Sequence, residues 1–280
     1  MRVGFITQLL WPRYGDFWVR LVEGVGAEAR FPDPNRVLEQ LADNRLTDVP
    51  GAVFRLAVAQ ALSLQETDLI VAPDLNFGTE VARGSGQDAF VASFPEALSN
   101  RFGGLPPVVG VPATLSGLET RAVEFLLALS RDAAQVRRVW ERTRALAVPP
   151  RYPEPRWTVP PLETVGVVGQ PWLLSDALVA RLQGDTGHTV SQHRLEPQTL
   201  REEGWRAEPR LVPTDAEVLG AARLLGRRAA VTRLRFVADA GSGADAWLAS
   251  QVTKLVHKPL SVTYLQDVLS ADELGTLLSA

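Results

Sequence analysis

Six prolines fall within residues 149–161: Pro149, Pro150, Pro153, Pro155, Pro160 and Pro161. Proline fixes φ and removes a backbone donor, so neither a helix nor a strand crosses such a segment. It divides the 280 residues into two stretches, each alternating short apolar runs with helix-length amphipathic runs. The expected organisation is an N-terminal α/β domain over residues 1–148, a proline-rich linker over 149–161 and a second α/β domain over 162–280.

In the first stretch, residues 2–7, 27–31, 68–73 and 108–112 read as strands, with helices over 17–25, 37–44, 50–64 and 96–102. Pro32-Asp33-Pro34 reads as a breaker. One long helix is expected over 118–146, with Val123, Leu126, Leu127, Val136, Val139 and Trp140 on its apolar side. Arg131, Arg137, Arg138, Arg142 and Arg144 form its solvated face. In the second stretch, strands fall at 165–168, 189–193, 229–237 and 260–264, and helices at 176–183, 215–225, 245–256 and 272–278. Strands separated by helices pair in parallel through right-handed crossovers. The fold class is therefore α/β: two doubly wound, Rossmann- or flavodoxin-like parallel-sheet domains. No internal repeat is sharp enough to show duplication.

The chain contains no cysteine. Disulfides, thiolate nucleophiles, cysteine-ligated zinc and all-cysteine iron–sulfur clusters are excluded. The net charge of −3, from 29 basic and 32 acidic residues, gives no general attraction to nucleic acid or an anionic membrane. No apolar stretch is long enough to span a bilayer. Pro12, Arg13 and Asp16 interrupt the first apolar run, so no leader is expected and the cytoplasm is the default location.

In doubly wound sheets, ligands collect at the C-terminal ends of strands. Gly169-Gln170-Pro171-Trp172 leaves such an end: Trp172 is placed to floor a pocket, and Ser175 or Asp176 to cap the next helix. Gly241-Ser242-Gly243 sits between a strand and a helix, where glycine lets backbone amides approach an anion. Asp245 falls in the first turn of that helix, where it serves the helix dipole. Each of these motifs also reads as a plain tight turn or cap, and both readings stand. Gly24-x-Gly26 follows a helix, so it reads as a C-cap rather than a phosphate loop. His188, His193 and His257 show no metal-ligand spacing, and Ser242 lacks the surroundings of a nucleophile elbow. Trp11, Phe17 and Trp18 read as core.

Several of these pieces occur together in one known family. Gly4, Phe17 and Trp18 stand in register with the opening of the 2-hydroxyacyl-CoA dehydratase subunits. Arg55-Leu56, the strand 68–73, the stretch Phe90 to Pro95, Gly169-x-Pro171-Trp172 with Asp176, Gly241-x-Gly243 with Asp245, and Lys258-Pro259 follow in the family's order. The chain resembles these subunits, and more closely the uncharacterised domain associated with their activase. The resemblance implies that Gly51, Asp88 and Ser242 stand where the family has cluster-binding cysteines. Glycine, aspartate and serine do not replace thiolates on a soft iron–sulfide cluster.

The resemblance implies a non-catalytic, dehydratase-like protein, a pseudoenzyme with no cofactor. It would bind a small acidic, CoA- or nucleotide-like ligand, or a partner subunit, in a cleft between the domains. The tentative ligand-binding residues are Gly169, Gln170, Pro171, Trp172, Asp176, Gly241, Ser242, Gly243 and Asp245. The alternative is a metal-free lyase or hydrolase using Asp88, Asp176 or Asp245. A dimer is compatible with either reading.

Overall fold

Four apolar runs in each half form four parallel strands. The computed structural model describes residues 1–76, 84–115, 117–148, 152, 163–183 and 188–269. The expected linker (apart from Tyr152) and the expected helix over 272–278 lie outside the described residues.

In the first half the elements are β1 (Arg2–Phe5), α1 (Gly15–Gly24), β2 (Glu28–Arg30), α2 (Pro34–Leu41), α3 (Ala52–Ser63), β3 (Leu69–Asp74), α4 (Ala89–Ala92), α5 (Phe94–Arg101), β4 (Val108–Pro112), α6 (Glu119–Leu129) and α7 (Ala133–Thr143). In the second they are β5 (Thr164–Gly169), α8 (Asp176–Gln183), β6 (His188–Ser191), α9 (Pro197–Trp205), α10 (Pro213–Arg227), β7 (Val231–Ala238), α11 (Gly243–Leu255), β8 (Leu260–Tyr264) and α12 (Leu265–Val268). The strand orders are β2-β1-β3-β4 and β6-β5-β7-β8, and every pairing is parallel. The fold is α/β with two doubly wound parallel sheets. The central strand β5 is buried along its whole length, as a strand covered by helices on both faces must be.

The chain folds into two compact units. The first comprises Met1–Val49, Phe54–Phe77 and Ser93–Pro150, and the second Pro50–Val53, Gly78–Ala92 and Arg151–Ala280. Two short excursions from the N-terminal half, one including the start of α3, thus belong with the second unit. Nothing in the local pattern of those residues signals this.

In the first unit Phe17 and Trp18 are core, with their rings 5.2 Å apart and edge-on, and Trp18 meets Phe125 at 5.4 Å. After β1, Leu9 and Leu10 both take left-handed backbone, with φ of 57° and 73°. That conformation costs an L-residue about 1–2 kcal/mol, and the burial of both side chains offsets it. Gly26, at φ 81°, follows the end of α1 and bears out the C-cap reading.

Three expectations are corrected. The single helix over 118–146 is two helices, α6 and α7. Ser130 is extended, and Asp132 accepts the Ala134 and Gln135 N–H groups at 2.9 and 3.0 Å, starting a new helix. The Pro32-Asp33-Pro34 segment does not only break structure. Asp33 caps α2 and Pro34 is its first residue, so the helix begins three residues earlier than expected. Finally, α9 went unread, because its short apolar face is interrupted by Arg201, Glu202 and Glu203.

Candidate functional site

The second unit changes direction at β5: the chain goes first to β6 on one side, then to β7 on the other. The C-terminal ends of β5 and β7 therefore lie at a topological switch point. Three buried carboxyl groups gather there. Asp239 follows β7, Asp245 lies in the first turn of α11, and Asp215 lies in the first turn of α10. They are 4%, 2% and 0% exposed.

Asp215 is satisfied on both oxygens. Its Oδ2 accepts the Ser85 N–H at 2.8 Å, and its Oδ1 accepts the Ser85 hydroxyl and the Gln170 Nε2–H at 2.9 Å. Burial raises its pKa, and the bonds from Ser85 and Gln170 pull it down. Asp239 is satisfied as well. Its Oδ2 accepts the Ala52 N–H at 2.5 Å, and its Oδ1 accepts Gly241 N–H at 2.9 Å and Gln266 Nε2–H at 2.8 Å. These carboxylates tie the segments 50–53 and 84–87 to the ends of β5, β7 and β8.

Asp245 differs. Its Oδ2 accepts the Asp239 N–H at 2.7 Å, but its Oδ1 has no hydrogen-bond partner among the described residues. Burial pushes its pKa up to about 7. The Asp239 N–H and the Ser242 side chain oppose this, while the Asp239 and Asp215 charges add to it. Asp245 does lie in the first turn of α11, as expected, and its burial there raises its pKa. Gln170 Oε1, Gln192 Nε2 and Thr214 Oγ1, all buried, likewise have no partner among the described residues.

Beside these groups lies a cleft of about 770 Å³. Its lining includes Ser85, Gln87, Asp88, Gly243, Trp247 and Lys254. Among the residues singled out from the sequence, Asp88 and Gly243 line it, and Ser242 and Asp245 flank Gly243 in the chain. Gln170 reaches the cleft's edge through Asp215 and Ser85, and the Gly169 N–H donates to Gln192 Oε1 at 3.2 Å. Pro171 is buried, Trp172 is half-buried, and neither lines the cleft.

Asp176 stands apart from the cleft. Its side chain is 69% exposed and its Oδ1 accepts His193 Nε2–H at 2.7 Å and Arg194 Nε–H at 2.8 Å. Arg194, then His193, lower its pKa to about 2. Ser175, not Asp176, caps α8: its Oγ accepts the Leu178 N–H at 3.2 Å. The fold thus pairs His193 with an acid that no sequence spacing connects to it. Ser191 Oγ lies 2.7 Å from His193 Nδ1, completing a serine–histidine–aspartate chain. Its burial runs in the wrong direction for acyl transfer: Ser191 is 2% exposed, whereas the carboxylate is at the surface.

Gly51, Asp88 and Ser242, which the expected resemblance would align with cysteines, all belong to the second unit. Gly51 packs on the 239–242 turn, since a Cβ on Gly241 would lie 3.1 Å from Gly51 Cα. Their donor set is no side chain, one carboxylate and one hydroxyl. It does not fit an iron–sulfur cluster, which requires thiolates.

Ser85, Gln192, Asp215 and Asp239 were not singled out as functional from the sequence. Asp239 had a readable signal: it is the first polar residue after the apolar run of β7. Ser85 and Gln192 had none, because their partners lie 130 and 23 residues away.

No family model, no curated protein and no solved structure matches this chain.

Proposed function

We propose that this chain is a non-catalytic binding protein whose second unit takes a small nucleotide- or CoA-like ligand in the cleft lined by Trp247 and Lys254. One observation carries the reading. Two of the three buried carboxyl groups beside the cleft, Asp215 and Asp239, are engaged as internal clamps, while the cleft offers unspent recognition groups. Asp215 and Asp239 accept six hydrogen bonds from Ser85, Gln170, Ala52, Gly241 and Gln266. A carboxylate so engaged is a poor proton carrier. Trp247 supplies an aromatic wall, Gln87 and Gln251 amide groups, and Lys254 a positive charge. Gly243 and Ala244 open α11 without a side-chain cap, so their amides favour an anionic group there. Asp88 and Glu208 put negative charge on the same lining, so the phosphates of such a ligand belong at the α11 N-terminus or beside Lys254 rather than beside these two acids.

The resemblance to the dehydratase subunits agrees with this reading, because the cluster positions carry no thiolate. Titration of the protein with ADP and with CoA, followed by melting temperature, tests it. The melting temperature rises with concentration for at least one of them, and Trp247→Ala and Lys254→Ala each abolish the rise. Anaerobic incubation with iron and sulfide gives no visible absorption band. A stable cluster band, or no response to either compound, overturns the proposal.

A further inference from the structure

We propose that Asp245 is a proton-controlled latch: as the neutral acid it keeps the 239–242 turn closed on segment 50–53, and on ionising it lets the turn open. The proposal holds whether or not the cleft binds a ligand.

The geometry separates Asp245 from its two neighbours. Asp215 and Asp239 receive donors on both oxygens. Asp245 receives one, on Oδ2, and its Oδ1 is enclosed in a residue 2% exposed with no donor among the described residues. A buried anionic oxygen without a donor is costly, and the neutral acid removes that cost. The Ser242 side chain favours the anion, but the charged groups nearby are acids. Asp239 faces Asp245 from the end of β7, and Asp215 acts on it from α10. The segment 84–88, packed on α11, contributes Asp88 as its charged residue. Segment 50–53 has no charge, and α12, which brings Gln266 to Asp239, carries Asp267. On α11 itself the cation is Lys254, nine residues on and about 13 Å along the axis. A pKa pushed up to about 7 agrees with that enclosure.

Ionisation therefore places an unsolvated charge beside Asp239, and hydration of Oδ1 requires the start of α11 to move. The Asp239 N–H that Oδ2 accepts is part of the turn whose carboxylate holds Ala52 N–H and Gly241 N–H. Opening at Asp245 thus frees both amides.

Amide hydrogen exchange at Ala52 and Gly241, corrected for intrinsic rates, reads the latch. Protection in the wild-type chain falls tenfold or more between about pH 6 and about pH 8. In Asp245→Asn, a neutral isostere, it stays flat over that range. Identical profiles in the two proteins overturn the proposal. Carboxyl-carbon NMR of the wild-type chain gives a reading independent of the variant's folding. A titration of Asp245 near neutrality is expected, and one below about pH 5 overturns the latch.

Discussion

The Asp239 N–H donates to Asp245 Oδ2 at 2.7 Å, so a carboxyl group in the first turn of α11 is fixed by the residue whose own carboxylate holds segment 50–53. Two acids six residues apart therefore do opposite things. Asp239 is a saturated acceptor, and Asp245 is a buried acid with one oxygen left over. Position in the first turn of α11 would make Asp245 an ordinary anion; enclosure decides otherwise.

Stability should fall as pH rises from about 4 to about 7. Asp245 has a folded-state pKa raised to about 7, above its unfolded value, and Asp215 is raised as well. Between those limits the unfolded chain has released protons that the folded chain keeps, which favours unfolding. The Asp245 contribution is fully lost above about pH 7 and amounts to roughly 4 kcal/mol at most. Urea unfolding across this range should show a declining midpoint for the wild type and a shallower decline for Asp245→Asn. A midpoint that rises through the interval contradicts the burial argument.

The Ser85–Asp215 pair should carry measurable stability. Ser85→Ala removes the hydroxyl bond to a fully buried carboxylate and leaves the Ser85 N–H bond in place. The expected loss is about 2 kcal/mol, read as a lower urea midpoint at unchanged slope. By contrast, Asp176→Ala should change stability by less than about 0.5 kcal/mol, despite two short bonds, because its carboxylate is exposed and screened.

How much of this was legible in the sequence follows from the range of each interaction. The strands and both sheets could be read because apolar runs such as 165–168 and 68–73 report burial locally. The turns at Gly169 and Gly241 were placed correctly at strand ends for the same reason. The break between α6 and α7 was lost because apolar spacing continues across Ser130 and Asp132, and only the cap of Asp132 marks the restart. The carboxylate clamps were not readable at all, since Ala52 finds Asp239 across 187 residues and Ser85 finds Asp215 across 130.

The crossing of α9 and α10 should not tolerate a methyl group. A Cβ on Gly204 would collide with the Ala216 carbonyl oxygen, and one on Gly220 with the Leu200 carbonyl oxygen. Both obstacles are backbone, so relief requires the helices to separate and to expose core residues such as Leu200 and Leu219. Gly204→Ala and Gly220→Ala should each cost about 3 kcal/mol or more. Gly103→Ala, whose Cβ meets nothing, provides the control. Thermal unfolding of the three variants distinguishes packing from helix propensity, which alone would make the two helical substitutions, at Gly204 and Gly220, favourable.

Placing a cysteine at Gly51, where the proposed resemblance would put one, should damage the protein rather than create a cluster. Gly51 has φ of 72°, which costs a non-glycine residue about 1–2 kcal/mol. Its new Cβ would lie 2.8 Å from Asp239 Oδ2, which accepts the Ala52 N–H while Gln266 holds Oδ1 of the same carboxylate. The clamp on segment 50–53 must then give way, so Gly51→Cys should melt lower than the wild type and lose amide protection at Ala52. With Asp88 and Ser242 unchanged, anaerobic treatment with iron and sulfide should leave it colourless. A Gly51→Cys protein that melts like the wild type would mean that the left-handed turn and the Asp239 contact do not constrain this position.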